Sequence, residues 1–411
     1  MGHQIGTFAA FTLPMQVGCS IYAIAPQTQS KSKMSEITVR PVTNKKDQLV
    51  FLKVPFPIYA ADKNWVAPLF LERLEHLSEK KNPYFEHAKA QLFIAEKDGK
   101  PVGRISAQID QLHQERYHDA CGQFGFLESV DDPAVFAALF KTAEDWLRQR
   151  GMKQVRGPFS FSINDEIGLL IDGFDTIPNM MMGHAPRYYQ TRVEEQGWKK
   201  AKDVLAYEFD NLQGLPPTMR KMLDRMMASG DLTVRPLNKK AMASEIDIVM
   251  DIFNDAWEDN WNFVPFTRAE VKMLATLFKM LLDPKAVQIA YWKGEPAAFC
   301  LAIANINEWF KGMNGRVFPF GWAKLLPRVL SGRSRSVRVP LMGVKKKFQD
   351  GAIGAGLALA VIRASSDHVI SKGVVHGEYS WILEDNMRVR HILESMGSRV
   401  YKTYRIYEKA L

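Results

Sequence analysis

The segment Ile37-Thr38-Val39-Arg40-Pro41-Val42-Thr43-Asn44-Lys45-Lys46 returns as Leu232-Thr233-Val234-Arg235-Pro236-Leu237-Asn238-Lys239-Lys240, 195 positions later. That interval is a domain length, too long for a solenoid period, so the chain reads as two copies of one unit. The pattern downstream of each start repeats as well. The first copy carries a helical region and then alternating runs, Leu92 to Glu96 and Pro101 to Ile109, around Asp98-Gly99-Lys100. The second carries Val287 to Trp292 and Pro296 to Ala304 around Lys293-Gly294-Glu295. Alternating runs about a glycine-containing turn predict a hairpin in each copy. The copies span about 34–210 and 231–411, and the linker 211–230 holds Pro216, Pro217 and a helical run from Met219 to Met227.

The copies differ where chemistry would sit. In the second, a strand-like run (Val339, Leu341, Met342, Val344) breaks into Lys345-Lys346-Lys347-Phe348-Gln349-Asp350-Gly351-Ala352-Ile353-Gly354-Ala355-Gly356 and then an apolar helix pattern. Strand, glycine-rich turn and helix start make an anion cradle: without Cβ atoms Gly351, Gly354 and Gly356 let backbone approach a phosphate, and the first N–H groups of the helix point at it. Next come a strand from Gly377 to Leu383, a helix-starting turn at Glu384-Asp385-Asn386, and a helix stopped at Gly397. The first copy has Glu128-Ser129-Val130-Asp131-Asp132-Pro133 at the corresponding turn, where three carboxylates would repel a polyanion. Its loops at 157–164 and 180–189 read as pocket walls, an interdomain face or plain packing.

This order of strand, loop, helix, strand, Asn, helix, Gly resembles the acetyl-CoA-dependent N-acyltransferase (GNAT) superfamily in its tandem form, including bacterial ceramide-synthase-like and Fem-like transferases. The resemblance implies an α/β (α+β) fold of two tandem domains, each a mixed, mostly antiparallel twisted sheet flanked by helices. It also implies an enzyme of acyl-CoA-dependent N-acyl transfer, with acyl-CoA as co-substrate and no permanently bound cofactor or metal. The family's turn follows Gln/Arg-x-x-Gly-x-Gly/Ala. Gln349 and Gly354 fit, Ala352 replaces the middle Gly, and Gly351 stands one place early. Asn386 and Gly397 match the second signature, which puts Val344, Gln349, Gly351, Ala352, Gly354 and Asn386 on the CoA side. Many members carry a Tyr acid four residues before that Gly, where this chain has Leu393. A thiol of pKa near 8.5 is a fair leaving group without it.

An attacking amine must shed a proton, and an oxyanion donor must meet the tetrahedral intermediate. Val344 is the candidate donor. Glu378, then His376, are candidate bases, sharing a strand face with Ser380 by period-2 alternation, and each is also an ordinary strand residue. Glu258 belongs to Trp257-Glu258-Asp259-Asn260-Trp261, which reads as an acceptor site or as the connector before the capping box Thr267-x-x-Glu270.

The formal net charge of +9 is concentrated. From Trp309 to Lys347 there are ten Lys or Arg and no Asp or Glu, interleaved with Phe318, Phe320, Trp322, Leu326 and Leu330; Lys345, Lys346 and Lys347 adjoin the cradle and read as serving the phosphates of CoA. The insertion 309–336 therefore reads as an anionic membrane surface contact, a long-acyl contact, or packing against the sheet; no nucleic-acid-binding signature accompanies it. A lipid amine such as a sphingoid base is the acceptor this suggests, with transfer from aminoacyl-tRNA and non-catalytic acyl-CoA binding as alternatives.

With 46% hydrophobic and 24% charged residues, the 411-residue chain reads as globular. Cys19, Cys121 and Cys300 lack ligand or disulfide spacing, favouring a reducing, cytoplasmic setting or the inner face of the cytoplasmic membrane. Residues 1–33 have no acidic residue and read as a disordered or spurious extension. No other segment approaches the roughly 20 apolar residues that span a bilayer.

Overall fold

The computed structural model describes residues 36–281 and 283–411, without the side chains of 277–281. The expectation for 1–33 lies outside these. Among the described residues thirteen strands form one sheet: β1 (Ile37–Pro41), β2 (Ala88–Lys97), β3 (Lys100–Asp110), β4 (Cys121–Ser129), β5 (Gln154–Gly157), β6 (Leu169–Asp172), β7 (Lys199–Asp210), β8 (Leu232–Pro236), β9 (Val287–Trp292), β10 (Glu295–Ala304), β11 (Ser336–Val344), β12 (His376–Leu383) and β13 (Arg399–Ala410). Their spatial order is β1-β2-β3-β4-β5-β13-β7-β12-β11-β10-β9-β8, with β6 also on β13. Exchanging β1–β5 with β8–β12, and β7 with β13, leaves this order unchanged apart from its direction. The duplication is therefore structural, and both hairpins, β2–β3 and β9–β10, fall where the glycine turns predict. Their turns share one geometry, with Asp98 and Gly99 at φ 51° and 74° and Lys293 and Gly294 at 50° and 81°.

The sequence does not reveal which copy each closing strand joins. β7, from the first copy, pairs antiparallel with β12 of the second, while β13 pairs with β5 of the first. β7 and β13 pair with each other from Arg399↔Glu208 to Glu408↔Lys199. Residues Glu36–Leu411 accordingly form one compact unit, and the boundary near residue 210 marks a place along the chain but not a separation in space.

In each copy one pair of strands is parallel and short. β4 meets β5 only at Cys121–Gln123, and β11 meets β12 only from Ser336↔His376 to Val339↔Tyr379. Past Val339 the strands diverge, and a helix (Gly351–Ser371) fills the crossover, packed on β8, β9, β10 and β11. Contrary to the expectation that no segment beyond 1–33 is apolar enough to span a bilayer, this cradle helix is, among the described residues, the one long and apolar enough to do so, yet over half of that stretch is buried. Its burial against the sheet explains its apolarity. The linker helix (Pro217–Ala228) lies along it, joined by an Arg363–Asp224 ion pair at 2.7 Å.

Candidate active site

Where β11 and β12 part, a cleft of about 990 Å³ opens. One wall is the free edge of β11. The Lys345 N–H donates to the Ala297 carbonyl, which makes Val344 and Ala298 a non-hydrogen-bonded pair and turns the Val344 N–H away from β10, toward the cleft. Carbonyls on the same edge are already taken: that of Met342 by Trp257 Nε1 at 2.9 Å and that of Val344 by Gln349 Nε2 at 2.8 Å. The edge therefore offers donors.

Beyond it the cradle helix begins at Gly351 with no side-chain cap, so its first N–H groups have no acceptor of their own. Gly351 takes φ 64°, the left-handed value that favours glycine. Gly354 is needed for another reason than the sequence suggests: a Cβ there would stand 2.3 Å from the Gln349 carbonyl oxygen, so it permits the turn itself. At Gly356 a Cβ would meet Met226 Sδ at 2.2 Å, so this glycine serves packing against the linker helix and leaves the cradle.

Val344, Gln349, Gly351, Gly354 and Asn386 line the cleft, whereas Ala352, exposed on the first helical turn, does not. Asn386 Oδ1 accepts the Val389 N–H at 3.3 Å, capping the following helix (Met387–Ser395) and leaving its amide N–H groups for a ligand. Arg388, to which no sequence motif points, lines the cleft beside the cradle, 3.3 Å from Gln349 Oε1 and 3.1 Å from Asp350. A cation in the first turn of a helix opposes the helix dipole, a misfit legible in the sequence, and here Asp350 meets it. Leu393 is fully buried in the cleft wall, so no acid stands at the family's tyrosine position.

Three expectations are corrected. Glu378 is buried and faces away from the cleft, with Oε2 held by Asn179 at 2.9 Å and by the Tyr401 hydroxyl. Its Oε1 accepts from Ser380 Oγ at 2.6 Å and lies 3.6 Å from Arg338, so no oxygen is free to meet an amine directly. His376 is exposed at the far end of β12, where the strands are still paired. Glu258 turns outward to Lys346 at 3.0 Å, although its neighbours Trp257, Asp259, Asn260 and Trp261 line the cleft. The Thr267–Glu270 capping box is present as well: the Thr267 N–H donates to Glu270 at 2.7 Å and the Glu270 N–H to Thr267 Oγ1 at 3.2 Å.

The basic cluster is also redistributed. Arg338 is fully buried, and burial pulls its guanidinium down to about 10 despite Glu378. Lys345, Lys346 and Lys347 pair with Asp251, Asp259 and Glu295 at 2.6, 2.6 and 2.5 Å. They anchor the turn instead of offering free charge to a phosphate.

The first copy contributes a wall, since Ile163, Asn164, Ile167 and Val204 also line the cleft. Its own crossover is much narrower, holding a cavity of about 140 Å³ lined by Leu127, Glu128 and Pro158. Asp132 accepts the Ala134 N–H at 2.9 Å and Pro133 has no N–H, so the helix Pro133–Arg148 starts capped. Glu128 lies between the Tyr59 and Tyr189 hydroxyls at 2.9 and 2.8 Å. Burial raises its pKa to about 7 against the opposing pull of Arg104.

No family model matches the sequence. The "Bacterial ceramide synthase" of Caulobacter vibrioides (strain NA1000 / CB15N) is 44% identical over 381 residues, covering 92% of this chain and 99% of that protein. This chain belongs to its family. "Protein YghO" of Escherichia coli (strain K12) is 43% identical over 374 residues, covering 91% of this chain and 95% of its own. Among solved structures, a "Tandem GNAT protein from the clavulanic acid biosynthesis pathway (without AcCoA)" superposes with a TM-score of 0.53 at 11% identity, over 91% of this chain and 98% of that one. A GCN5-related glucosamine N-acetyltransferase region of a fungal multi-domain GH3 beta-N-acetylglucosaminidase gives 0.51 at 14% identity, over 91% and 38%. The present family member has the tandem GNAT fold.

Proposed function

We propose that the protein is an N-acyltransferase that moves a long acyl group from acyl-CoA to the amine of a membrane-lipid precursor, a sphingoid long-chain base. One observation carries the donor assignment: the free Val344 N–H on an open strand edge stands one turn from an uncapped helix N-terminus. Such a helix end suits the CoA diphosphate, with Arg388 beside it, and the strand edge suits the thioester carbonyl. The capped helix and small cavity of the first copy leave one acyl-CoA per chain. The long chains are inferred from the apolar wall (Ile163, Ile167, Val204, Phe263) and from the name of the 44% identical relative.

The amine nitrogen attacks the thioester carbon, the carbonyl oxygen gathers charge beside Val344 N–H, and the C–S bond breaks as the C–N bond completes. An alkylammonium of pKa near 10 must first lose a proton. Ser380 borders the cleft as a buried residue, its Oγ held by Arg338 Nε at 2.8 Å and donating to Glu378. With that first proton gone to solvent, the nitrogen of the tetrahedral intermediate gives its second to Ser380 as Ser380 passes its own to Glu378, and the thiolate leaves unassisted and is protonated by solvent. Glu378 is thus a relay partner behind Ser380.

Ser380→Ala removes the relay and keeps the Arg338–Glu378 pair. Its kcat is expected to fall about 10²-fold or more, with acyl-CoA affinity unchanged. Mass spectrometry of lipids from cells lacking or overproducing the protein tests the substrates. An amide-linked lipid absent from the deletion and restored by wild type but not by Ser380→Ala is expected; an unchanged lipid profile contradicts the lipid acceptor.

A further inference from the structure

We infer that the segment Phe318–Leu330, within the insertion between β10 and β11, is a wedge that docks the protein on an anionic lipid bilayer. In purpose it rests on the lipid acceptor proposed above, but the surface itself is independent of that reading. Phe318, Phe320 and Leu330 are 71%, 79% and 76% exposed, and Trp322 and Leu326 about half. Not one residue of the helix Gly321–Ser331 is buried. Trp322, Leu326 and Leu330 recur every four residues, so they form one apolar stripe facing solvent.

The base of the insertion, in contrast, is tightly fastened. Both oxygens of Glu308 are used: Oε1 accepts from Ser336 N and Oγ at 3.1 and 2.6 Å, and Oε2 from Arg335 N and Ser334 Oγ at 2.8 and 3.1 Å. Trp309 Nε1 donates to the Arg333 carbonyl at 2.8 Å, and Arg328 donates to the carbonyls of Trp309 and Lys311. A stapled base that holds out an uncovered apolar tip is arranged for an external partner.

Charge selects which partner. Lys311, Arg316, Lys324, Arg333 and Arg335 are exposed around the tip, and the sequence from Trp309 to Phe348 contains no carboxylate to balance them. A second copy of this face would bring like charge against like charge, and a nucleic acid would leave the aromatic and aliphatic stripe in water. An anionic bilayer satisfies both, taking the stripe into its acyl boundary and the cations at its headgroups, where each basic side chain strengthens partitioning by roughly fivefold.

The test is flotation of the full-length protein with vesicles of phosphatidylethanolamine and phosphatidylglycerol, compared with phosphatidylcholine alone. Wild type is expected to float with the anionic vesicles and to be released by salt. A Phe320→Ser, Trp322→Ser, Leu330→Ser variant, altered only at exposed positions, is expected to lose at least tenfold in partitioning while keeping its turnover of detergent-dispersed substrate. No flotation of wild type, equal flotation of the variant, or a wild-type dimer that the variant abolishes would each overturn the inference. The two proposals fail separately: flotation without lipid-amine turnover removes the acceptor reading, and turnover without flotation removes the wedge.

Discussion

Gly354 and Gly356 lie on one helical turn and answer to different neighbours. At Gly354 the obstacle to a side chain is the backbone carbonyl of Gln349, which cannot yield without moving the turn. Gly354→Ala should therefore weaken acyl-CoA binding at least tenfold and cost about 1–3 kcal/mol of stability. At Gly356 the obstacle is the end of the flexible Met226 side chain, so Gly356→Ala should cost under about 1 kcal/mol and bind acyl-CoA as wild type does. Calorimetric titration and thermal melts of both variants check the contrast, which a cradle built on Gly356 would reverse. Glu378→Gln belongs to a different class. It leaves Arg338 fully buried without its countercharge, and about 3–5 kcal/mol of destabilisation is expected in denaturant melts. An unchanged midpoint would mean the pair is not a structural anchor. At this scale the sequence was partly legible. The Gln349–Gly354 spacing and Asn386 were visible as motif positions, whereas the burial of Glu378 was not, because alternation along β12 assigns a face without saying what covers it.

Among the elements, the helix Arg268–Leu281 is tied to the first copy through one histidine. His87 Nδ1 lies 2.9 Å from Asp110 and Nε2 3.3 Å from Glu270, the residue that closes the capping box. Burial disfavours the imidazolium, but hydrogen bonds to Asp110 and Glu270 outweigh it and raise the pKa to about 9. A raised pKa means the folded state binds the proton more tightly. The stabilisation is complete below the unfolded value near 6.5 and is lost as pH climbs to 9. Thermal melts should show a decline across that window, of about 1–3 kcal/mol, that His87→Gln removes. A wild-type profile parallel to that of the variant would contradict the tie. Most elements were readable locally: both hairpins from their glycine turns, the linker helix from its prolines and periodicity, the capping box from Thr267 and Glu270. The cradle lysines were misread because a run of cations carries no sign of the acidic partners, Asp251, Asp259 and Glu295, that the fold supplies from far along the chain.

For the whole molecule, the exchange of β7 and β13 decides how it holds together. Each copy needs the other's closing strand, so residues 34–210 and 231–411 made separately should not fold, while the full chain should unfold in one cooperative transition by calorimetry. Two separable transitions, or a folded 34–210 fragment, would contradict this. The repeat announced two similar units but not the exchange, because strand pairing between copies satisfies the same alternation as pairing within one. It also left unseen that the first copy, with its own crossover narrowed, walls the other's cleft through Ile163, Ile167 and Val204.

One cradle, at Gln349–Gly354, is expected to grip the diphosphate of one acyl-CoA per chain. Isothermal titration of the full-length protein with a long-chain acyl-CoA measures it. Expected are a single site per chain, at least tenfold weaker in Arg388→Glu and unaffected by Lys97→Ala at the capped helix of the first copy. No heat of binding, or two sites per chain, would contradict the account.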